Sequence, residues 1–468
     1  MNSSVAYRLH FIGIGGIGMS GIAEIFLSQG HQVSGSDLNV SEVTENLVRM
    51  GAKIFALHRP ENVDDADVVI VSSAIKQSNE EVREAKRLGI PVIPRAEMLA
   101  EVMRGKTGIA IAGTHGKTTT TSMVAQILIE AGLDPTVVVG GKVEAIGSNA
   151  RVGKGDLVVV EADESDGSFH LLPATHAIVT NIDLDHMEYY GTRSNLNEAF
   201  LKFSKKIPFY GVTWLCLDDE GVRQIIPFLT KPHRTYGFST EADLYANNLR
   251  SEGARIQIFD LFYRPSRDSV HTHLAEIELS VLGKHNVLNS LGAIGMCLTL
   301  GATIFAAKSA LKKFQHVRRR FDERFFSPTR QLRVIDDYGH HPTEIKAVLA
   351  TAKQMGHSRV ITLFQPHRYT RTQFCWNDFL SCFSDTDLLL ILPIYAANEN
   401  PIEGISSAIL IEAIQEYMGN LLKVIEIQSL DEARDWVIQN HQDGDLILTL
   451  GAGSITKLGD QLSAELKK

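Results

Sequence analysis

Ile109-Ala110-Ile111-Ala112-Gly113-Thr114-His115-Gly116-Lys117-Thr118-Thr119-Thr120-Thr121 is the stretch around which this chain organises itself. An apolar run, a small-residue turn and then Lys-Thr leading into a helical pattern from Ser122 to about Ala131 is how a chain builds a phosphate cradle. Backbone N–H groups of the turn and of the first helical turn face the anion, and the helix dipole favours its negative charge. Lys117 then reaches the terminal phosphates and Thr118 offers its hydroxyl to a magnesium ion. The usual loop carries a glycine five positions before Gly116, where this chain has Ile111, so the loop is a shorter Gly-Thr-His-Gly-Lys-Thr variant. A bland strand-turn-helix, with Gly113 and Gly116 only relieving backbone strain, is the alternative. Lys-Thr directly after the glycine argues against it.

Upstream, Leu9 to Ile14 reads as a strand, Gly13-Ile14-Gly15-Gly16-Ile17-Gly18 as a glycine turn, and Met19 to Gln29 as a helix. A second strand from Gln32 delivers Ser36 and Asp37, giving a G-x-G-x-x-G with an acid about twenty residues on, the pattern of a dinucleotide-type βαβ unit. The turn suits a pyrophosphate and Asp37 a ribose or base. Asp67 to Val71 is another apolar strand, ending at Ser72-Ser73, and Glu80 to Leu88 is helical. Alternation of this kind predicts a parallel sheet with ligands at the carboxyl ends of its strands. An NAD-dependent oxidoreductase would use such a turn, but a second nucleotide loop at Gly113 makes redox chemistry the poorer choice.

Gly155 to Ser165 is a buried strand emitting acids at its end, of which Glu161 comes first and is placed to meet the magnesium held by Thr118. His176 to Thr180 leads to Asn181-Ile182-Asp183-Leu184-Asp185-His186, where a histidine among acids is either a metal ligand or part of a solvated turn. Two metals would clamp a transferring phosphoryl group. From Phe238 to Leu282 short alternating runs predict an antiparallel insert. Gly283-Lys284-His285-Asn286-Val287-Leu288-Asn289 then opens a helix running through Leu300, its asparagines serving either an adenine edge or a helix cap.

The C-terminal third returns to α/β alternation. Arg318-Arg319-Arg320 is a solvated basic run or a phosphate grip, and its place at a domain junction favours the grip. Leu332 to Ile335 leads to Asp336-Asp337-Tyr338-Gly339-His340-His341. Val360 to Phe364 delivers Gln365-Pro366-His367-Arg368-Tyr369-Thr370-Arg371, a carboxylate receptor by the match of guanidinium forks to carboxylates. Asp445 to Leu450 ends at Gly451-Ala452-Gly453, a turn suited to close backbone approach to a ligand.

Length predicts about three domains at roughly 100–200 residues each: 1–105, 106–317 and 318–468. The fold class expected is α/β: an N-terminal Rossmann-like parallel sheet, a central P-loop ATPase-type sheet with a small antiparallel part, and a C-terminal Rossmann-like sheet. A net charge of -9 argues against a nucleic-acid partner, which needs a basic face. Four cysteines, Cys216, Cys297, Cys375 and Cys382, show no metal-type spacing and point to a reducing cytoplasm. No apolar run approaches the ~20 residues of a membrane span. The start of the chain lacks the cationic n-region of a signal peptide, and Glu24 interrupts its helix.

Gly-Thr-His-Gly-Lys-Thr, Glu-Ala-Asp-Glu-Ser-Asp, Asp-His-Met, Gly-Lys-His-Asn-Val-Leu-Asn and the N-terminal His-Phe-Ile-Gly-Ile-Gly-Gly-Ile-Gly-Met-Ser-Gly-Ile-Ala-Glu together resemble the Mur ligases of peptidoglycan synthesis, in particular their alanine-adding branch. The resemblance covers essentially the whole chain. It implies an ATP-dependent amide ligase that phosphorylates the lactyl carboxylate of UDP-N-acetylmuramate and lets L-alanine attack the acyl phosphate, releasing ADP and phosphate. It assigns ATP to Gly113, Thr114, His115, Gly116, Lys117, Thr118, Thr119, His285, Asn289, Arg320 and Asp337. Magnesium, two ions with manganese as a substitute, falls to Thr118, Glu161 and His186, and catalysis to Lys117, Glu161, His186 and Arg320. UDP-N-acetylmuramate falls to Gly15, Gly16, Gly18, Asp37 and Ser72, and the amino acid to Tyr338, His340, His367, Arg368 and Arg371. A monomer or homodimer is expected. A ligase that recycles a whole tripeptide onto the same sugar nucleotide is the nearest rival. Several members of the family carry a carbamylated lysine about fifteen positions after the metal histidine, where this chain has Leu201, with Lys202 one beyond.

Overall fold

Three α/β sheets make up the chain, seen in a computed structural model that describes residues 5–39, 41–72, 75–143, 148–253, 255–266, 268–315 and 318–467. Ser73 and the expected domain boundary at 317 lie outside the described residues. The first sheet is wholly parallel, in spatial order Lys53–Phe55, Gln32–Ser36, Arg8–Ile12, Val68–Val71 and Val92–Pro94. The chain leaves Arg8–Ile12 in both directions, which opens a crevice at the switch point beside the glycine turn.

The second sheet has ten strands, in the order Thr272–Leu279, Ile256–Tyr263, Leu244–Glu252, His233–Gly237, Thr213–Cys216, His176–Val179, Thr107–Ala112, Leu157–Glu161, Thr136–Val143 and Ser148–Arg151. Its middle is parallel and both edges are antiparallel. The alternating runs after Phe238 are antiparallel as expected, yet they do not stand apart as an insert. Tyr236 and Gly237 pair in parallel with Leu244 and Tyr245, so these strands extend the central sheet edge to edge. Helix Lys117–Glu130 begins five residues before its apolar periodicity does, and the hydroxyls of Thr121 and Ser122 are absorbed by donating to the carbonyls of Lys117 and Thr118. The third sheet runs Asp322–Ser327, Leu332–Asp337, Asp445–Leu450, Arg359–Phe364, Leu388–Ile391, Lys423–Glu426, parallel except for its first strand.

The two junctions between sheets differ in kind. Helix Ile17–Ser28 packs on strands Thr136–Val143 and Ser148–Arg151 of the central sheet. One apolar cluster runs without interruption from Leu9, Ile22 and Phe26 through Met98 to Val138, Val158 and Phe200. The apolar clusters on the two faces of the C-terminal sheet, by contrast, draw only on residues from Phe321 onward. That domain meets the centre through polar and charged groups.

Candidate functional site

The phosphate-type loop leaves strand Thr107–Ala112 at Gly113, whose φ of 135° favours glycine; a side chain there would lie 2.0 Å from Thr180 Oγ1. Gly116 has φ 81°, and its missing Cβ would lie 2.5 Å from Asn289 Oδ1. Both glycines are therefore required by close approach. Asn181 clamps the turn between them, accepting from His115 N at 2.8 Å and donating to His115 O at 2.9 Å. Gly116 caps helix Lys117–Glu130 without a side-chain bond, so the first N–H groups of the helix remain available to an anion.

Around this loop the acids assemble. Thr118 Oγ1 donates to Glu161 at 3.0 and 3.2 Å, and Glu161 also accepts from Gly140 N at 2.8 Å. Lys117 Nζ folds back onto the carbonyls of Gly113 (2.7 Å) and Thr114 (3.1 Å) and onto Glu164 (2.7 Å). Burial alone would lower the lysine's pKa, but Glu164, Asp163 and Glu161 together raise it. His186 adopts a left-handed backbone, φ 56°. Among the described residues its ion-pair partners are Asp185 (3.8 Å) and Glu188 (3.7 Å) rather than Glu161, and it couples electrostatically to Glu164. Lys202 is elsewhere: it is 63% exposed and pairs with Glu198 along its own helix.

A cavity of about 270 Å³ opens beside the loop. His115, Gly116 and Thr119 form its floor, and Tyr236, Val281, Leu288 and Phe314 its apolar wall. His285, Asn286 and Asn289 come from helix Lys284–Thr299, while Arg320 and Asp337 enter from the C-terminal domain. The asparagines are not caps: Gly283 precedes the helix without a side-chain bond, and Asn286 and Asn289 are buried, joined at 3.3 Å. Arg320 lies over the Tyr338 ring and pairs with Glu344 at 3.3 Å, and Arg319 lies over the same ring, so of the basic run only Arg318 is exposed. Burial raises the Asp337 pKa to about 6 against the pull of Arg320 and of the Gly339 and Phe321 N–H groups.

From the C-terminal sheet, Arg371 grips Asp185 with Nε and Nη2 at 3.0–3.2 Å, and Arg368, more exposed, meets Glu188 at 3.4 Å. Burial opposes ionisation of Asp185, but Arg371 and the neighbouring histidines hold its carboxyl far below the usual range. Burial and Arg371 push His340 down to about 3, and burial with Arg371 and Arg368 pushes His367 down to about 4, so both rings are neutral at pH 7. His340 Nδ1 faces the Tyr338 carbonyl at 2.9 Å, which leaves Nε2 as an acceptor. The Gly451 turn is approached by protein and not by an open site: Arg319 donates to its carbonyl at 2.8 Å, and a Cβ there would lie 2.8 Å from the Gln365 carbonyl.

The glycine turn of the first sheet is built on Asp37. Gly15 N donates to Asp37 Oδ2 at 2.9 Å, and a Cβ at Gly15 would lie 2.8 Å from that oxygen. Gly18 sits beneath Arg95, whose guanidinium reaches Asp163 of the central sheet at 3.3 Å. Gly16 caps helix Ile17–Ser28, and Ser72 ends strand Val68–Val71 at the same edge.

Several participants were not singled out from the sequence: Arg95, Glu164, Asp183, Asp185, Glu188, His341 and Glu344. His115 is held between Asp183 (3.0 Å) and Glu344 (3.4 Å), and although burial works against its charge these partners raise its pKa to about 9. Thr343 Oγ1 donates to Asp183 at 2.6 Å, and His341 lies 3.4 Å from the same carboxylate. His115, Asp183 and His341 offer ligand atoms within 4.8 Å of one another, but the bonds just described already employ them. The only local signal was the cluster of acids and histidines after two strand ends.

Family models describe the whole chain in order. "Mur ligase family, catalytic domain" matches residues 8–107, "Mur ligase middle domain" 111–297, and "Mur ligase, glutamate ligase domain" 319–453. The chain is similar to UDP-N-acetylmuramate–L-alanine ligase of Geotalea daltonii, 47% identical over 98% of both chains, and to that of Anaeromyxobacter dehalogenans, 49% identical over 98% of both. Among solved structures it resembles the UDP-N-acetylmuramate-alanine ligase of Thermotoga maritima, with TM-score 0.81, 29% identity and coverage of 98% and 99%. A murein peptide ligase from Psychrobacter arcticus shares the fold at TM-score 0.71 and 22% identity, covering 98% and 99%. With all three domains matched in order and relatives close to half identical from end to end, this chain belongs to the Mur ligase family.

Proposed function

We propose that this chain is a cytoplasmic, ATP-dependent ligase that joins L-alanine to the lactyl carboxylate of UDP-N-acetylmuramate. One observation carries the reading: Lys117 pairs with Glu164, Glu164 feels the charge of His186, and His186 pairs with Asp185, which Arg371 grips. The phosphate loop and the carboxylate receptor therefore face one space. The relatives named above support the choice of substrates, and the lower likeness to the murein peptide ligase favours free alanine over a tripeptide. No helix among the described residues is long and apolar enough to cross a membrane. The ends of the three sheets support domains of 1–105, 106–317 and 318–468.

The residues fit the nucleotide. The cradle at Gly113 and Gly116 is one a Cβ would fill, and the cavity offers apolar walls with Asn289 and His285 for a purine edge. Thr118 and Glu161, already in contact, would hold a magnesium ion, and His186, beside Asp185 and Glu188, would serve a second. Bound there, magnesium would neutralise triphosphate charge. Lys117 holds the β/γ phosphates, and Arg320 and Asp337 close on the nucleotide from the C-terminal side. Gly15, Gly16, Gly18, Asp37 and Ser72 anchor the UDP end, so that the lactyl carboxylate is presented to the loop.

The carboxylate oxygen attacks the terminal phosphorus as the bond to the β-phosphate oxygen breaks, giving acyl phosphate and ADP. Arg368 takes the carboxylate of alanine, which competes with Asp185 for Arg371, while Tyr338, His340 and His367 surround the amine. His340 Nε2 is an acceptor for an amine N–H. The amine attacks the acyl carbon, the C–O bond to phosphate breaks, and the proton lost by the nitrogen passes to the departing phosphate. Binding in line supplies most of the rate, because no covalent enzyme intermediate is needed. Phosphate release is expected to require both UDP-N-acetylmuramate and L-alanine. Release indifferent to the amino acid, or satisfied better by the tripeptide, defeats the assignment.

A further inference from the structure

Lys117 does not wait with a free ammonium. Two loop carbonyls and Glu164 Oε2 take its three N–H bonds. Glu164 is 1% exposed and its other oxygen, Oε1, has no hydrogen-bond partner among the described residues. Its backbone is fixed as well: the Tyr190 hydroxyl and Gly167 N both donate to its carbonyl. His186 also acts on it electrostatically.

A phosphate oxygen that takes Lys117 must break one of these three bonds, and the ionic partner is the one outside the loop. Glu164 would then be a buried carboxylate with neither oxygen paired, beside newly arrived negative charge. An unpaired buried charge of this kind is strongly unfavourable. A cation delivered with the phosphates relieves it. We propose that Glu164 is a switching counterion: it holds Lys117 against its own loop until nucleotide binds and then turns to the phosphate-bound divalent cation, making nucleotide binding conditional on that cation. Glu164 is thus a positioning residue. The inference rests on the nucleotide reading of the Gly113–Lys117 loop.

The test is a thermodynamic cycle read by a ribose-tagged fluorescent ATP analogue, titrated into full-length wild type, Glu164→Gln and Glu164→Asp in magnesium chloride and in EDTA. Thermal unfolding establishes that each variant is folded. In wild type, magnesium is expected to tighten binding by about tenfold or more, the scale of one charge-assisted bond. Glu164→Gln is expected to bind metal-free nucleotide about tenfold more tightly and to lose most of the magnesium enhancement. Glu164→Asp keeps the charge but draws it back from Lys117, so it should bind metal-free nucleotide somewhat more tightly and remain magnesium-dependent. Equal shifts with and without magnesium in Glu164→Gln, or unchanged metal-free affinity in both variants, would overturn this inference alone. A wild type that binds no nucleotide in either buffer overturns the ligase reading along with it.

Discussion

The N-terminal and C-terminal domains are both attached to the central sheet, and they are attached in opposite ways. The N-terminal junction is a continuous apolar core threaded by helix Ile17–Ser28, with the buried Asn149–Ser20 bond inside it. The C-terminal junction is a set of polar bridges: His115 with Glu344, Asp183 with Thr343 and His341, Asp185 with Arg371, Glu188 with Arg368. Apolar burial is non-directional and gains nothing from opening, whereas polar pairs can be exchanged for water or substrate at small net cost. The difference assigns the moving part. If the proposed sites hold, the glycine turn at Gly15 stays fixed relative to the loop at Gly113, and the C-terminal domain is expected to open and close over it, excluding water from an acyl phosphate.

The largest effect that sharpens this contrast is expected at the polar junction. Arg371→Ala removes a fork shared by Asp185 and the incoming carboxylate, and should lower kcat/KM for L-alanine by roughly 10²–10³-fold. A loss of less than a few fold in steady-state kinetics would mean that Arg371 is neither latch nor receptor. At the apolar junction the cost moves from turnover to stability. Ile25 is fully buried one helical turn from Gly21, which faces Ala150. Ile25→Ala should cost about 2–5 kcal/mol in denaturant unfolding, with nucleotide affinity retained; the reverse pattern would contradict a fixed N-terminal junction.

A smaller effect is expected from pH. The folded pKa of His115 is raised from 6.5 to about 9, so the docking stability its charge lends is complete below pH 6.5 and is lost as pH rises through about 9. Energy transfer between dyes on the central and C-terminal domains should fall across that window in wild type and change less in His115→Gln. A wild-type profile flat across the window would remove His115 from the latch. The smallest effect belongs to Lys202→Ala. As an exposed helical pair with Glu198 it should shift stability by no more than about 0.5 kcal/mol and leave phosphate release intact; a large loss of turnover would place Lys202 in the chemistry after all.

What could be read from the sequence follows the range over which each signal acts. The phosphate loop was legible because its requirements are local: two glycines at fixed spacing and Lys-Thr at the helix start. The asparagines of helix Lys284–Thr299 were half legible. Their residue type suggested a purine edge or a cap, and only the helix start at Gly283 removes the cap. Arg368 and Arg371 were visible as paired guanidinium groups at a strand end, but the acids they meet were not, since Asp185 stands 186 positions from Arg371. Glu164 was passed over for Glu161, the first acid off the strand, because nothing local shows that Lys117 folds back on its own loop. The helix Arg193–Lys206 and strand Thr213–Cys216 were not singled out at all. The turn at Gly451 reads as suited to a ligand, whereas Gln365 and Arg319 of the protein are what approach it.

The proposed reaction requires the lactyl carboxylate to be phosphorylated at Lys117 before the amine attacks it. The direct measurement uses UDP-N-acetylmuramate labelled with ¹⁸O in that carboxylate, converted in the presence of ATP and L-alanine, with the released phosphate weighed by mass spectrometry. One ¹⁸O per phosphate released is the predicted result. Unlabelled phosphate, with the heavy atom lost from the carboxylate recovered in water or in the nucleotide product, would contradict it.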